Sequence, residues 1–544
     1  MPVMKQFKHC FSVRPMTEPS PAIELICNTL RRSMNHVTCK SSLLSALLLL
    51  PLLLPFRGLS QEMLGIINSN DAGVASVLIN PAATVTSRYY LDINLLTLGV
   101  FAENNYIYLK DSEYRFSRFL EKNPEYPVHG ENDQSTYDYY NTRDKQAYAN
   151  LRVMGPSAML VLDRHAFGFT TGFRTVGSFN RLPYDVAKFL YDDFDFKPQQ
   201  DINYVHPGYF DGHILSWAEI GGNYSYIFKR DGFNQWSAGV NLRYLAGYAG
   251  AYSAIDYFDY IVYDEDTLQV NRADGKAGIS LPLDYETNDV VRRPLFRGRG
   301  AGMDFGVVFE RKTKGYQNWD RLSLCTQQYN PYVYRIGLSI LDVGRIRFNK
   351  NTYYMEMEKA STFWAGISSL DYTTVNNYVG EISYHFLGDS SALIKGNQIT
   401  IGLPTALSLQ ADYNFRPNWY VNGTVVVPVK VFKNSVSRES LIAITPRFEN
   451  EKFGISLPVS LFNYYKPRVG IAFRYKGFFI GSEKPSGFFH FSDFTGLDFY
   501  TGIKISFAKG DCRRKAQSEC GDQQYLKYKN KDKGKPKMGL GITQ

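Results

Sequence analysis

The stretch from Leu403 to Phe415 reads L-P-T-A-L-S-L-Q-A-D-Y-N-F and alternates between two kinds of side chain. One set runs from Leu403 through Leu407 and Leu409 to Phe415, and the other contains Gln410 and Asp412. Because successive side chains point to opposite sides of a strand, one face is apolar or aromatic and the other is polar. Its 13 residues exceed a globular strand of about 5–6, whereas a tilted strand needs only about 9–11 to cross a bilayer. The pattern predicts a membrane-spanning strand with a lipid face and a lumen face.

Similar segments recur along the chain, so we predict an all-β fold, an antiparallel transmembrane β-barrel of about 14 strands over residues 89–507. Aromatic residues make up 15% of the sequence, as expected of aromatic girdles, and a mean hydropathy of −0.28 argues against a bundle of membrane helices. The candidate strands are Tyr89–Phe101, Val153–Leu162, Phe167–Phe179, Ile214–Phe228, Trp236–Tyr248, Ala301–Glu310, Tyr332–Leu341, Tyr378–Phe386, Leu403–Phe415, Trp419–Val429, Leu441–Glu449, Phe453–Phe462, Arg468–Tyr475, Gly477–Gly481 and Leu497–Phe507.

The only long apolar run, Leu43 to Phe56, follows Lys40 and is too short for a confident membrane helix. It predicts a secretory signal peptide within residues 1–60, cleaved after Ser60. Met34 would give a leader of ordinary length, so residues 1–33 are either an upstream extension of the reading frame or part of a long leader. The protein is therefore expected in the outer membrane.

The excess of basic residues and most of the cysteines lie in the two ends of the chain. Leader and tail hold 17 of the 61 Lys and Arg and 6 of the 52 Asp and Glu, which leaves 44 basic and 46 acidic residues in 61–508. This balance predicts no nucleic-acid partner. Residues 508–544 are expected to form a basic, disordered periplasmic tail. Cys512 and Cys520 could pair there and leave Cys325 free.

Residues 61–88 precede the first strand and are rich in small side chains. Gly73–Leu78 has helix caps before it, and Asn80-Pro81 is typical of a helix cap followed by the first helical position. Composition alone leaves two alternatives for this segment, a plug inside the barrel or a periplasmic lead-in.

The string from Asn68 to Leu96, with Asn80-Pro81-Ala82 at its centre, resembles the start of a family of Bacteroidota outer-membrane barrels of unknown function (DUF5723-like), which are similar to the FadL and PorV types. The resemblance implies an N-terminal hatch that carries the Asn80, Pro81 and Ala82 motif, and no established substrate. It continues through Gly300–Gly306, Arg335–Gly344, Leu403–Leu407, Thr445–Glu449 and Ile480–Ser482.

The gaps between candidate strands differ in length. Those near 111–150, 180–212, 249–298, 311–330 and 343–375 are long, and the others are tight. Long loops are expected outside the cell and short turns in the periplasm. Tyr184 to Phe194 could form a short amphipathic helix in one loop.

The same alternation places twelve titratable side chains in the lumen, because a charged Arg or Lys facing lipid costs about 2–4 kcal/mol at mid-bilayer. They either pair across a packed lumen and hold the hatch, or line a substrate path. Six acids and five bases nearly balance, which argues against strong ion selectivity. The side chains are Asp304, Glu310, Arg335, Glu381, His385, Asp412, Arg447, Glu449, Arg468, Arg474, Asp498 and Lys504.

We predict no enzyme, no cofactor and no metal site. Gly298-x-Gly300-x-Gly302 leads into a strand rather than a helix, so it is not a dinucleotide loop. The eight histidines are scattered, and no nucleophile motif is present. Proline interrupts several candidate strands and indicates bulges; by resemblance to FadL-type barrels, one such kink could instead open a lateral exit. These prolines are Pro404, Pro428, Pro446 and Pro458.

Two functions follow as alternatives. The first is a FadL-like passive channel for hydrophobic or amphipathic small molecules, with outer-membrane lipid and a hydrophobic ligand as its partners. The second is a PorV-like scaffold that transports nothing and binds a secretion or surface protein.

Overall fold

The computed structural model describes residues 62–110, 136–314, 329–369, 373–487 and 492–508. The predicted leader, the tail and all three cysteines outside the leader lie beyond these ranges. The described strands, in chain order, are β1 Tyr89–Asn104, β2 Ile107–Tyr108, β3 Tyr137–Asp138, β4 Lys145–Met154, β5 Ser157–Leu162, β6 His165–Leu182, β7 Asn203–His206, β8 Phe210–Asp231, β9 Asn234–Asp264, β10 Thr267–Ser280, β11 Gly298–Lys312, β12 Tyr332–Phe348, β13 Thr352–Ala365, β14 Ile394–Gly396, β15 Ile399–Gly402, β16 Ala406–Arg416, β17 Trp419–Pro428, β18 Leu441–Glu449, β19 Phe453–Ser456, β20 Val459–Phe462, β21 Lys466–Val469, β22 Ile471–Tyr475, β23 Phe478–Ser482 and β24 Gly496–Ala508.

These strands close into an antiparallel barrel, as the sequence predicts. Each of the pairs β4 and β5, β15 and β16, β19 and β20, and β21 and β22 forms one interrupted wall strand, which gives 14 around the wall. The first strand pairs with the last, from Tyr89 opposite Ala508 to Glu103 opposite Gly496. Closure leaves no free edge in the wall, the condition for a sheet that spans a bilayer.

In the part of the wall around the hatch, outward positions are mostly apolar and inward ones mostly polar. Met303 and Phe305 on β11 are exposed, whereas Asp304 between them is buried. The same alternation holds on β16, where Leu407 and Leu409 face out. The protein is therefore a transmembrane β-barrel with a lipid-facing apolar surface.

The structure contradicts two of the strand predictions. Tyr378–Phe386 is not a strand but part of the helix Val375–Leu387, capped by the Thr374 side chain. Its apolar residues also fit helical spacing, and a run of nine residues does not distinguish the two periods. Leu403, assigned to the lipid face, is buried inside, because the chain breaks between β15 and β16 and the alternation restarts at Ala406. The helices of the described ranges are α1 Leu64–Ile67, α2 Tyr184–Asp192 and α3 Val375–Leu387.

Loop placement follows from strand direction. Tight turns after β5, β8, β16, β18 and β22 share one end with the start of β1, which we name the periplasmic end. The described residues on either side of the 311–330 gap also lie at this end and not outside as predicted, since Lys312 N–H donates to Phe233 O in the neighbouring turn (2.7 Å). The gaps at 249–298 and 343–375 are largely strands: β9 continues past the wall and pairs with β10, which pairs with β13.

None of the helices in the described ranges is both long and apolar enough to cross a membrane.

Candidate functional site: a hatch held in a charged lumen

The described part of the hatch, residues 62–88, folds into the barrel as α1 and two short 3₁₀ turns, Gly73–Leu78 and Pro81–Ala83. Asn80 caps the second turn: its Oδ1 accepts from Ala82 N–H at 3.0 Å, as the sequence predicts. Nearly every residue of the segment is buried. Of the two alternatives left open by composition, the structure has the plug.

Asn80-Pro81-Ala82 lies against glycines on three adjacent strands. A Cβ on Gly239 would lie 2.6 Å from Ala82 N, one on Gly306 2.9 Å from Asn80 Cγ, and one on Gly337 2.8 Å from Asn80 Nδ2. No other residue allows this approach without displacing the hatch. Asn80 Nδ2 also donates to the Gln410 side chain at 3.0 Å. The motif is therefore a docking element for the wall.

Beside the hatch, Asp412 is the centre of a buried charge cluster. Its carboxylate accepts from Arg447 at 2.6 Å, Arg335 at 3.0 Å and the Tyr332 hydroxyl at 2.6 Å. Arg335 also donates to the backbone oxygen of Asn68 in the hatch at 2.8 Å. These bonds fix the hatch to β12, β16 and β18.

A second cluster holds the hatch across the seam between β1 and β24. Asp92 on β1 accepts from the hatch amide Val74 N–H at 2.9 Å and from Lys504 on β24 at 3.0 Å. Lys504 also donates to the backbone oxygen of Asp71, and the Asp71 carboxylate pairs with Arg474 at 2.7 Å. The hatch thus contacts both strands that close the barrel.

A third cluster lies at the level where the hatch begins, around Asp342. This carboxylate pairs with Arg174 at 2.7 Å, Arg243 at 2.9 Å and Arg438 at 3.2 Å. Arg438 belongs to the loop 429–440 between β17 and β18 and also pairs with Glu62 of the hatch. We name this loop the strap, because it descends from the extracellular end and reaches the hatch.

The strap is tied to the wall at several points. Gly402 N–H donates to Asn434 O at 2.7 Å, and Ser437 N–H donates to Ser178 Oγ at 3.0 Å. Val436 is buried among wall side chains. The break between β15 and β16 therefore has a role in packing, since it lets the strap pair with Gly402.

Above the charge clusters the lumen is apolar. Trp217, Leu245 and Phe348 are fully buried there, and the Arg174 guanidinium lies 4.8 Å from the Trp217 ring. The layer is filled by its own side chains and by Val436 of the strap. Its other members are Val176, Leu215, Tyr252, Ala254, Ile346, Ile399, Ile401 and Leu403.

The two cavities found beside the hatch are small. Each has a volume of about 30 Å³, room for roughly two or three waters. One lies between Leu78 and the wall and is lined by Arg152. In the described residues, Nε and Nη1 of Arg152 have no hydrogen-bond partner. Neither of these two cavities has room for more than a few water molecules.

Ten of the twelve sequence-predicted lumen residues lie inside the barrel, in these clusters or in the contacts given below, and two do not. Glu381 lies on α3 outside the wall, 3.8 Å from His385, so its placement in the lumen is wrong, as is that of His385. Arg335 is half-buried and the other nine are buried. Glu310 pairs with Lys312, Arg468 with Glu103, Arg447 also with Glu449, and Asp498 accepts from Glu483 N–H.

Sequence reasoning missed several charged residues of the lumen. Arg174 and Arg243 lie inside candidate strands, and their inward position follows from the exposed neighbours Phe169 and Leu242. Glu103 lies just after the end of a candidate strand and pairs with Lys466, Arg468 and Lys484. In the described ranges, no group of three or more His, Cys, Asp and Glu side chains is placed to hold a metal ion.

The profile of a family of unknown function, DUF5723, matches residues 81–483. The chain belongs to this family. The matched region begins at Pro81 and includes the wall strands up to β23. No curated protein sequence matches this DUF5723 protein.

Several solved structures are similar to it at low identity. The Pseudomonas putida toluene transporter TodX is 11% identical, with 80% of this chain and 93% of TodX covered and a TM-score of 0.33. The Ralstonia pickettii toluene transporter TbuX is 10% identical, with coverage of 80% and 94% and a TM-score of 0.26. A Pseudomonas aeruginosa FadL homologue is also 10% identical, with coverage of 80% and 94% and a TM-score of 0.25.

Proposed function

We propose that the protein is a gated passive channel of the outer membrane for hydrophobic or amphipathic small molecules. The observation that carries this proposal is the apolar layer above the charge clusters, with Trp217, Leu245 and Phe348 facing inward. A water-filled pore for polar solutes has a polar interior, whereas an apolar interior offers a favourable environment to a hydrophobic solute. The hatch and the strap are the parts that would move.

The hatch contacts the wall through hydrogen bonds and ion pairs, which can exchange for water when it opens, and also through apolar side chains such as Ile67 and Val74, which pack on wall residues. Thr84 of the hatch is an example, since its Oγ1 lies 2.6 Å from Ser225 Oγ on β8. The Asn80-Pro81-Ala82 motif packs against glycines of the wall rather than against large apolar side chains. The polar part of this interface can therefore exchange for water, whereas the apolar part must separate from the wall as the hatch opens.

A disulfide lock tests the proposal. Thr84→Cys with Ser225→Cys, in a chain whose other cysteines are replaced by Ser, joins the hatch to the wall because the two hydroxyl oxygens lie within 2.6 Å. Flux of a hydrophobic fluorophore into proteoliposomes is expected to stop in the oxidised protein and to return with reductant. The matched control is Thr175→Cys with Ser216→Cys, a pair at 2.9 Å that links two wall strands, and it is expected to leave the flux unchanged.

Equal flux through the oxidised lock and its control would show that the hatch is not the gate. Absence of flux above empty liposomes in the unlocked protein, with a range of hydrophobic solutes, would refute the channel.

The second candidate is a non-transporting scaffold for a secreted or surface protein. One observation favours it: β9, β10 and β13 extend past the wall, and α2 and α3 pack on this extension. Recovery of a stoichiometric protein partner that is lost when residues 250–280 and 352–365 are replaced by a short turn, together with absence of flux, would support the scaffold.

A further inference from the structure

Three arginines lie together on the outer face of the wall, near its extracellular end. Arg299 is on β11, and Arg345 and Arg347 are on β12. All three are exposed, whereas Ile346 and Phe348 on the same stretch of β12 are buried inside the barrel. We name these residues the arginine triad.

The triad has an unfavourable arrangement of charge. Arg299 lies directly opposite Arg347 in the ladder, and the next outward position, Ala301, is opposite Arg345. Like charges on directly opposite residues destabilise a sheet. In the described ranges no ion pair compensates them: the triad's contacts are Arg347 to the Gln398 side chain and Arg345 to the Phe432 ring, 5.5 Å away.

The neighbouring strands supply no acidic side chain either. Arg299 is paired with Ala246 and Ala301 with Tyr244 on β9, while Arg347 is paired with Thr400 on β15. Three guanidinium groups therefore face the same outer surface, and the described strands on either side place no carboxylate opposite them. Such a group of charges fits an anion that lies outside the barrel.

The triad also lies at a defined height. Arg299 and Arg311 are the two charged outward positions of β11 and enclose the apolar or small positions between them. At about 3.3 Å per residue and a tilt of about 40°, the twelve steps from Arg299 to Arg311 rise about 30 Å along the membrane normal, the thickness of the hydrocarbon core. Arg299 thus lies at the outer-leaflet boundary and Arg311 at the inner one.

We propose that the arginine triad binds the phosphate groups of a phosphorylated lipid in the outer leaflet. Guanidinium groups bind phosphate through paired hydrogen bonds, and one phosphate between Arg299 and Arg347 removes their repulsion. The acyl chains of the lipid lie along the outward side chains directly below, Met303 (44% exposed) and Phe305 (47% exposed). A soluble phosphate compound would leave this apolar surface uncovered, which is why we assign a lipid.

Native mass spectrometry of the full-length protein in detergent tests the proposal with bisphosphorylated lipid A as the probe. The wild type is expected to retain the lipid. The variant Arg299→Gln, Arg345→Gln and Arg347→Gln is expected to bind it at least about tenfold more weakly, because each lost charge-assisted bond weakens binding by about that factor. Lipid A without phosphates is expected to bind both proteins equally weakly.

The matched control is Arg311→Gln with Arg416→Gln, which removes a half-buried and an exposed arginine at the periplasmic end. It is expected to bind as the wild type does. Equal binding by the triad variant and the control would overturn the proposal, as would equal binding of the dephosphorylated lipid by the wild type. If the triple variant fails to form a heat-modifiable barrel, the single variants Arg299→Gln and Arg347→Gln replace it, and unchanged binding in both would overturn the proposal equally.

Discussion

Replacement of Asn80 by Ala is expected to release the hatch while the barrel stays folded. Asn80 is 1% exposed; its Oδ1 caps the turn at Ala82 N–H, and its Nδ2 donates to Gln410 Oε1 at 3.0 Å and to Val307 O at 3.2 Å. Loss of the cap costs about 1 kcal/mol, loss of the buried side-chain bond about 1, and the orphaned Gln410 oxygen about 1 more.

The sum, about 3 kcal/mol, raises the population with an undocked hatch roughly 100-fold. Hydrogen exchange of the purified barrel measures this directly, because amides of a segment that opens locally exchange in proportion to its open population. Exchange over residues 62–88 is expected to accelerate about 100-fold, with the wall strands unchanged.

Asn241→Ala is the matched control. Asn241 is also buried and donates to Asp304 at 2.7 Å, but this bond joins two wall strands. It should leave exchange of the hatch at the wild-type rate. Hatch exchange in Asn80→Ala within about threefold of the wild type would refute the assignment of Asn80 as the docking residue.

Three further predictions concern the hatch, the strap and the extracellular extension. Gly306→Ala places a Cβ in contact with the capping side-chain amide of Asn80, 2.9 Å from its Cγ, and should destabilise the docked hatch by about 1–3 kcal/mol, measured by the same exchange. Gly423→Ala, whose nearest neighbour atom is 4.0 Å away, should not. Arg438→Met leaves Glu62 without its ion pair, so limited proteolysis within 429–440 should become faster, and an unchanged cleavage rate would contradict the link. The backbone N–H of Lys359 on β13 lowers the pKa of Asp274 on β10 below its usual 3.8. The stability that this contact gives to the β10–β13 pair is therefore present above pH 3.8 and is lost as the pH falls through the lowered pKa. Protection of the residue 359 amide that does not change with acid, or an equal change in Asp274→Asn, would contradict this.

The strands of the wall could be predicted from the sequence alone, because lipid requires an apolar side chain at every second position and a charge there is costly. The alternation correctly placed Asp304, Asp412 and Lys504 inside, since buried and outward positions alternate without a break around each of them along β11, β16 and β24. It failed at Leu403, where the break between β15 and β16 shifts the alternation by one residue.

The third charge cluster, around Asp342, could not be predicted in the same way. Asp342 has a positive φ of 57° and lies at an irregularity where Leu341 and Asp342 are both buried, so period two does not hold there. Arg438 lies in a loop, and only the folded chain shows that this loop descends to Glu62. The family resemblance indicated a hatch and not the residues that hold it.

The contacts at the seam have a consequence for assembly. Lys504 and Asp92 are 412 positions apart in the chain, and Asp71 and Val74 meet the same pair. Contacts of such long range form late in folding, because a large loop must close first. Closure of the barrel and seating of the hatch therefore depend on the same last strand, so a chain truncated before β24 can complete neither, and the integrity of the finished barrel is coupled to the presence of its final residues.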